Sequence, residues 1–140
     1  MSPFSQFLHD LRMRRGMRQS ELAEAVGYEP SYISALELGI KGPPTDEFLA
    51  RLIQTLSMSL PEQDTLREMA LASQRKLILD ADAPTDLYWL LNDLRTALNY
   101  LHPVQVKLIR EVIDLPHSLL KDRAIAPVRI KRKRKEEVSM

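Results

Sequence analysis

The stretch Gln19–Gly39, QSELAEAVGYEPSYISALELG, constrains the fold of this chain more than any other part of it. Two short helices that cross steeply over a tight turn need a small residue where their backbones approach, and Ala23 stands at that place. They also need a glycine four residues later, and Gly27 provides it in the left-handed conformation that closes a helix most cheaply. Pro30 suits the first turn of the following helix, where an amide hydrogen is not required, and Gly39 ends that helix. Leu22, Val26, Ile33 and Leu36 are the positions such a pair turns inward. Ser31, Tyr32, Ser34, Ala35 and Leu38 are left facing outward or partly outward, the kind of surface that enters a major groove.

Proline and glycine cut the remainder into further helical segments, and no alternating run rich in β-branched residues argues for a sheet, so the expected fold class is all-α. A first helix is expected from about Phe4 to Arg15, burying Phe4, Phe7, Leu8 and Leu11 and stopping at Gly16. The second spans Gln19 to Val26 and the third Pro30 to Leu38. After the loop Ile40 to Pro44, Thr45 is a good N-cap and Asp46 and Glu47 complement the dipole of a fourth helix, expected to reach Met58 with Phe48, Leu49, Leu52, Ile53 and Leu56 inward. A fifth, from Pro61 to about Leu79, closes a five-helix core.

Asp80 to Pro84 reads as a linker. Beyond it Leu87, Leu91, Leu94, Leu98 and Leu101 are spaced by four, three, four and three residues, a heptad-like seam. Pro103 opens a further helix with Val104, Leu108, Val112 and Leu115 on one side, which Pro116 is expected to stop, giving a helical hairpin. The expected organisation is thus a head over residues 1–79, a helical extension over 80–122 and a basic, flexible, disordered tail over 123–140.

The chain of 140 residues has no cysteine, which removes disulfides, thiolate zinc sites and a cysteine nucleophile, and suits a reducing cytoplasm. No apolar run approaches the roughly 20 residues of a membrane span, so no membrane association is expected. The net charge of +1 hides a segregation: Arg123, Arg129, Lys131, Arg132, Lys133, Arg134 and Lys135 face only Glu136 and Glu137 in the tail. Such a tail either follows a DNA backbone as a flexible arm or serves as a solubilising end. His9, His102 and His117 occur singly, without an H-E-x-x-H pair, a nucleophile elbow or a glycine-rich phosphate loop, so no enzyme, cofactor or metal site is expected.

Gln19, Leu22, Ala23 and Gly27, followed by Ser34, Glu37 and Gly39, resemble the pattern Q-x-x-L-A-x-x-x-G and S-x-x-E-x-G of the lambda-repressor and Cro type of helix-turn-helix regulator, often called the Xre family. The resemblance covers roughly residues 4–60 and implies a lambda-repressor-like domain that binds double-stranded DNA. It implies that Gln19 donates to a DNA phosphate, that the first turn of the third helix, Pro30 and Ser31, lies at the bases, and that Ala35 makes a further base contact. It also implies a partly buried Arg12–Glu37 bridge holding the first helix to the third.

Pro30, Ser31 and Ala35 lack the bidentate groups that discriminate bases, so direct readout rests on single hydrogen bonds from Ser31 and Ser34, on Tyr32 at a phosphate or base edge, and on Ala35 at a thymine methyl. DNA shape and half-site spacing supply the remainder. Arg18 opens the second helix with a phosphate-seeking charge in place of a cap, Glu29 serves the third as a cap, and Lys41 follows it in a loop suited to phosphate. Arg14 and Arg15 add to this positive surface. Two roles are compatible with these features. One is a transcriptional repressor binding an inverted repeat as a homodimer through the leucine seam; Trp89 and Tyr88 beside it read as core or interface anchors. The other is an antitoxin-like module whose residues 86–120 cover a partner protein.

Overall fold

A computed structural model describes residues 1–122, with side chains described through Pro116. The expected basic tail, residues 123–140, lies outside the described residues. Among the described residues the structure is all-helical, in the order α1 (Pro3–Arg14), α2 (Gln19–Val26), α3 (Pro30–Leu38), α4 (Asp46–Thr55), α5 (Leu60–Ala72), α6 (Thr85–Ala97) and α7 (Pro103–Asp122). The chain divides into two units, Met1–Ile78 and Leu79–Met140. None of the described helices is long and apolar enough to cross a membrane.

The first unit is built on local signals that agree with one another. Ser2 caps α1, its hydroxyl accepting from the Ser5 amide at 3.1 Å while the Ser5 hydroxyl accepts from the Ser2 amide at 2.8 Å. Thr45 Oγ1 accepts from the Phe48 amide at 3.2 Å and starts α4. Gly27 and Gly39 take φ of 78° and 77°. After each, the next amide reaches back to a carbonyl in the last turn, Tyr28 to Ala23 at 2.9 Å and Ile40 to Ala35 at 3.0 Å, which satisfies helix-end carbonyls that would otherwise be left over.

α1 packs on α3 and α5, α2 on α3 and α4, and α4 on α5. Phe4, Leu8, Leu11, Leu22, Ile33, Leu36, Phe48, Leu52 and Leu66 are essentially inaccessible. Each such side chain stabilises the fold by about 1.5–3 kcal/mol relative to exposure. Phe48 lies at the centre, edge-on to Phe4, Tyr28 and Tyr32 with ring centroids 6.5, 5.1 and 5.5 Å away.

Three helix ends differ from the sequence expectation. α4 stops at Thr55 rather than Met58: Ser57 adopts a left-handed φ of 49°, and the Met58 amide turns back to the Ile53 carbonyl at 3.1 Å. α5 begins at Leu60, capped by Ser59, and ends at Ala72 rather than Leu79. The buried Ser73 hydroxyl donates to the Met69 carbonyl at 2.7 Å and accepts from the Phe4 amide at 2.8 Å, which ties the end of α5 to the start of α1. Pro116, expected to stop α7, lies inside it, and the helix continues to Asp122.

In the second unit no residue between Leu79 and Pro116 is buried. Leu87, Leu91, Leu94 and Leu101 of the seam are half-buried, and Leu98 is 63% exposed. Tyr88, Trp89, Val104, Leu108 and Val112 are exposed. Among the described residues, the apolar periodicity of α6 and α7 closes no buried core.

Candidate nucleic-acid interface

Successive residues of a helix turn by about 100°, so Ser31, Ser34, Ala35 and Leu38 share one side of α3 while Ile33, Leu36 and Glu37 occupy the other. Burial follows this division. Ile33, Leu36 and Glu37 are buried, Ser31 and Leu38 are exposed, and Ser34 and Ala35 are partly exposed. Pro30 occupies the first turn of α3, and Glu29 at the N-cap makes no side-chain hydrogen bond to the helix. The outward side is small in profile, which allows a groove wall to come close.

What fixes the angle of α3 is a carboxylate. Glu37 Oε2 accepts from Arg12 Nε at 2.7 Å and Oε1 from Arg12 Nη2 at 2.9 Å, while Arg12 Nη1 donates to the Met17 carbonyl at 2.7 Å. One guanidinium thus joins α1, the turn into α2, and α3. His9 Nδ1 lies 3.0 Å from Glu37 Oε1. Burial pushes the Glu37 carboxyl up, but hydrogen bonds from Arg12, His9 and Gln19 together hold it below the usual carboxylate range. The hydrogen bond to Glu37 raises the Arg12 guanidinium above its ordinary value, against the opposing effect of burial. The bridge implied by the sequence resemblance is present.

Tyr32 is partly exposed, and its inward part packs on the aromatic core. Its ring stacks on Tyr28 with centroids 5.1 Å apart at 20° and meets Phe48 edge-on. Arg51 covers the Tyr28 ring at 5.4 Å and Lys41 the Tyr32 ring at 5.5 Å, so two cations cap the pair of tyrosines. Burial, and then Tyr28, push the Tyr32 phenol above its ordinary range. Lys41, exposed after α3, is held beside this stack.

Gln19, at the start of α2, lines an open cavity of about 450 Å³ together with Gln6, His9, Ser34 and Leu38. The structure therefore brings Gln19 and Ser34 to one concavity, with Ser31 and Ala35 on the same side of α3. Arg18 is exposed at the N-cap of α2, its amide donating to Glu21 Oε1 at 2.9 Å. Arg15 is engaged elsewhere. Its guanidinium donates to the Leu56 carbonyl at 2.6 Å and to Glu62 at 3.4 Å, fastening α1 to the α4–α5 connection.

Two contributions are absent from the sequence reading. Arg75, beyond α5, donates to the Gly39 carbonyl at the end of α3. His9 sits three positions before Arg12 on α1, a spacing that places both on one helix face and was the available signal.

Comparison with known proteins agrees with this geometry. Residues 3–66 match the family model described as a helix-turn-helix domain. Searches of curated proteins and of solved structures return no match. The segment that carries the Arg12–Glu37 bridge and the outward face of α3, residues 3–66, is a helix-turn-helix domain of the kind found in Xre-type and Cro-like DNA-binding regulators.

Proposed function

We propose that this protein is a sequence-specific transcriptional regulator, a repressor that binds an inverted-repeat operator as a homodimer. The observation that carries the reading is the outward side of α3, small and free of core contacts, flanked by Gln19 at the start of α2 and Lys41 after α3. In this reading Arg18, Gln19 and Lys41 meet phosphates, and Tyr32 donates its hydroxyl to the backbone from the edge of α3. Ser31 and Ser34 each offer one hydrogen bond to a base edge, and Ala35 meets a thymine methyl. With no bidentate group on this face, selectivity leans on DNA shape and on the spacing of two half-sites. The leucine seam that runs along α6, half-buried at Leu87, Leu91 and Leu94, supplies the contact between the two copies.

The test is binding of the intact protein to DNA from upstream of its own gene and to random duplex across a salt series. Selective binding that Gln19→Ala weakens on every sequence, and whose selectivity Ser31→Ala relaxes, is the expected result. Equal binding to both duplexes would refute it.

A second reading is favoured by the apolar side chains of α6 and α7 that stand exposed among the described residues, Trp89, Leu108 and Val112 among them. Residues 86–120 would then cover a partner protein in the manner of an antitoxin. A chain that stays monomeric and becomes soluble only with the product of a neighbouring gene would favour this reading over homodimerisation.

A further inference from the structure

We infer that His9 acts with Gln19 to hold a phosphate of the DNA backbone in the concavity between α1, α2 and α3, and that this grip requires a proton on His9. The inference rests on the DNA-binding reading above and adds a residue and a condition to it. His9 Nδ1 is 3.0 Å from Glu37 Oε1. An ionised carboxylate only accepts, so Nδ1 carries the hydrogen and the tautomer is fixed. Nε2 is then the one ring nitrogen left for a ligand. The His9 side chain is 42% exposed and lines the same cavity as Gln19, Ser34 and Leu38. In the neutral ring Nε2 presents a lone pair, which repels a phosphate oxygen. In the protonated ring it presents an N–H, which donates to one.

The surrounding charges make this change of sign count. Glu37 and Arg12 face His9 from α3 and from the next turn of α1, and they cancel. Asp10, adjacent on α1, accepts from Gln6 Nε2 at 3.0 Å, and the Met1 end of the chain lines the same cavity. With the Arg12–Glu37 pair neutral overall, protonation of His9 adds one positive charge beside Gln19, at the start of α2 where the helix dipole already favours an anion.

The experiment is a titration of the full chain against a labelled random-sequence duplex, since phosphate contacts do not depend on sequence. It is run from about pH 8 to about pH 5.5, the range in which imidazoles change charge, for wild type, His9→Gln, Gln19→Ala and His102→Gln. Wild-type affinity is expected to rise roughly tenfold as pH falls, the gain of one charged hydrogen bond. The salt slope should steepen by about one phosphate contact. His9→Gln, whose amide can still donate to Glu37, should show no rise in affinity as pH falls. His102→Gln should retain the rise, and Gln19→Ala should bind more weakly throughout. A pH response surviving in His9→Gln, or none in wild type, overturns the inference while leaving DNA binding intact. Absence of duplex binding by wild type at every pH and low salt overturns the DNA reading itself and the inference with it.

Discussion

The guanidinium of Arg12 grips both carboxylate oxygens of Glu37, at 2.7 and 2.9 Å, with 11% and 5% of the two side chains exposed. A pair so enclosed costs desolvation on both sides, and the loss of one partner leaves the other charge uncompensated. Glu37→Leu is expected to destabilise the fold by about 3–5 kcal/mol, because Arg12 would retain only the Met17 carbonyl. Arg12→Met should cost less, since His9 and Gln19 still serve the carboxylate. The double variant should recover most of the loss. Urea unfolding of the three variants checks the order.

The same carboxylate sets an acid limit on stability. The folded value of Glu37 lies below the usual carboxylate range. Its contribution is therefore complete above the unfolded value, about 4.3, and is lost as pH falls through the lower folded value. Glu62, whose carboxylate is held down chiefly by the Ser59 amide, acts in the same direction at the surface. The melting temperature should fall between pH 5 and pH 3, and Glu37→Gln, starting lower, should fall less over that interval.

Ser57 occupies a left-handed backbone conformation that its Cβ disfavours. Ser57→Gly removes that penalty while adding freedom to the unfolded chain, and the net expectation is a stabilisation of about 0.5–1 kcal/mol. Equilibrium denaturation with an unchanged denaturant slope would register it.

Leu94 sits midway along the seam of α6 and is only half-buried among the described residues. In a homodimer Leu94→Glu would place two charges in a contact meant for two leucines. The dimer should weaken by at least about a hundredfold, visible by sedimentation equilibrium, with the melting of residues 1–78 unchanged.

How much of this was legible in the sequence depended on whether a local rule decided it. α2 and α3 have the limits that Gly27, Pro30 and Gly39 imply, because each of those residues carries its own backbone preference. Leu22, Val26, Ile33 and Leu36 are buried as their spacing predicts. The break between α4 and α5 was hidden because Ser57 performs the turn usually given to glycine. The end of α5 was hidden because Ser73 acts through Phe4, 69 positions away, while Leu77 and Leu79 continue an apolar rhythm past the helix. The angular position of Tyr32 predicts a partly outward side chain but not its pairing with Tyr28 and Phe48, which lie outside α3. Arg15 was read as surface charge, whereas the Leu56 carbonyl at the end of α4 lies within its reach. His9 looked uninformative in isolation and gains meaning only once Glu37 is known to face α1.

The division of α3 into two sides has a consequence for how such a protein changes over time. The helix is held in place chiefly through Ile33, Leu36 and Glu37, with Tyr32 packed at its edge, whereas the side chains of Ser31, Ser34, Ala35 and Leu38 are exposed or partly exposed and outside the core. Replacing those four side chains alters what the helix can recognise at little cost to the scaffold, so new target preferences can be sampled one residue at a time without passing through an unfolded ancestor.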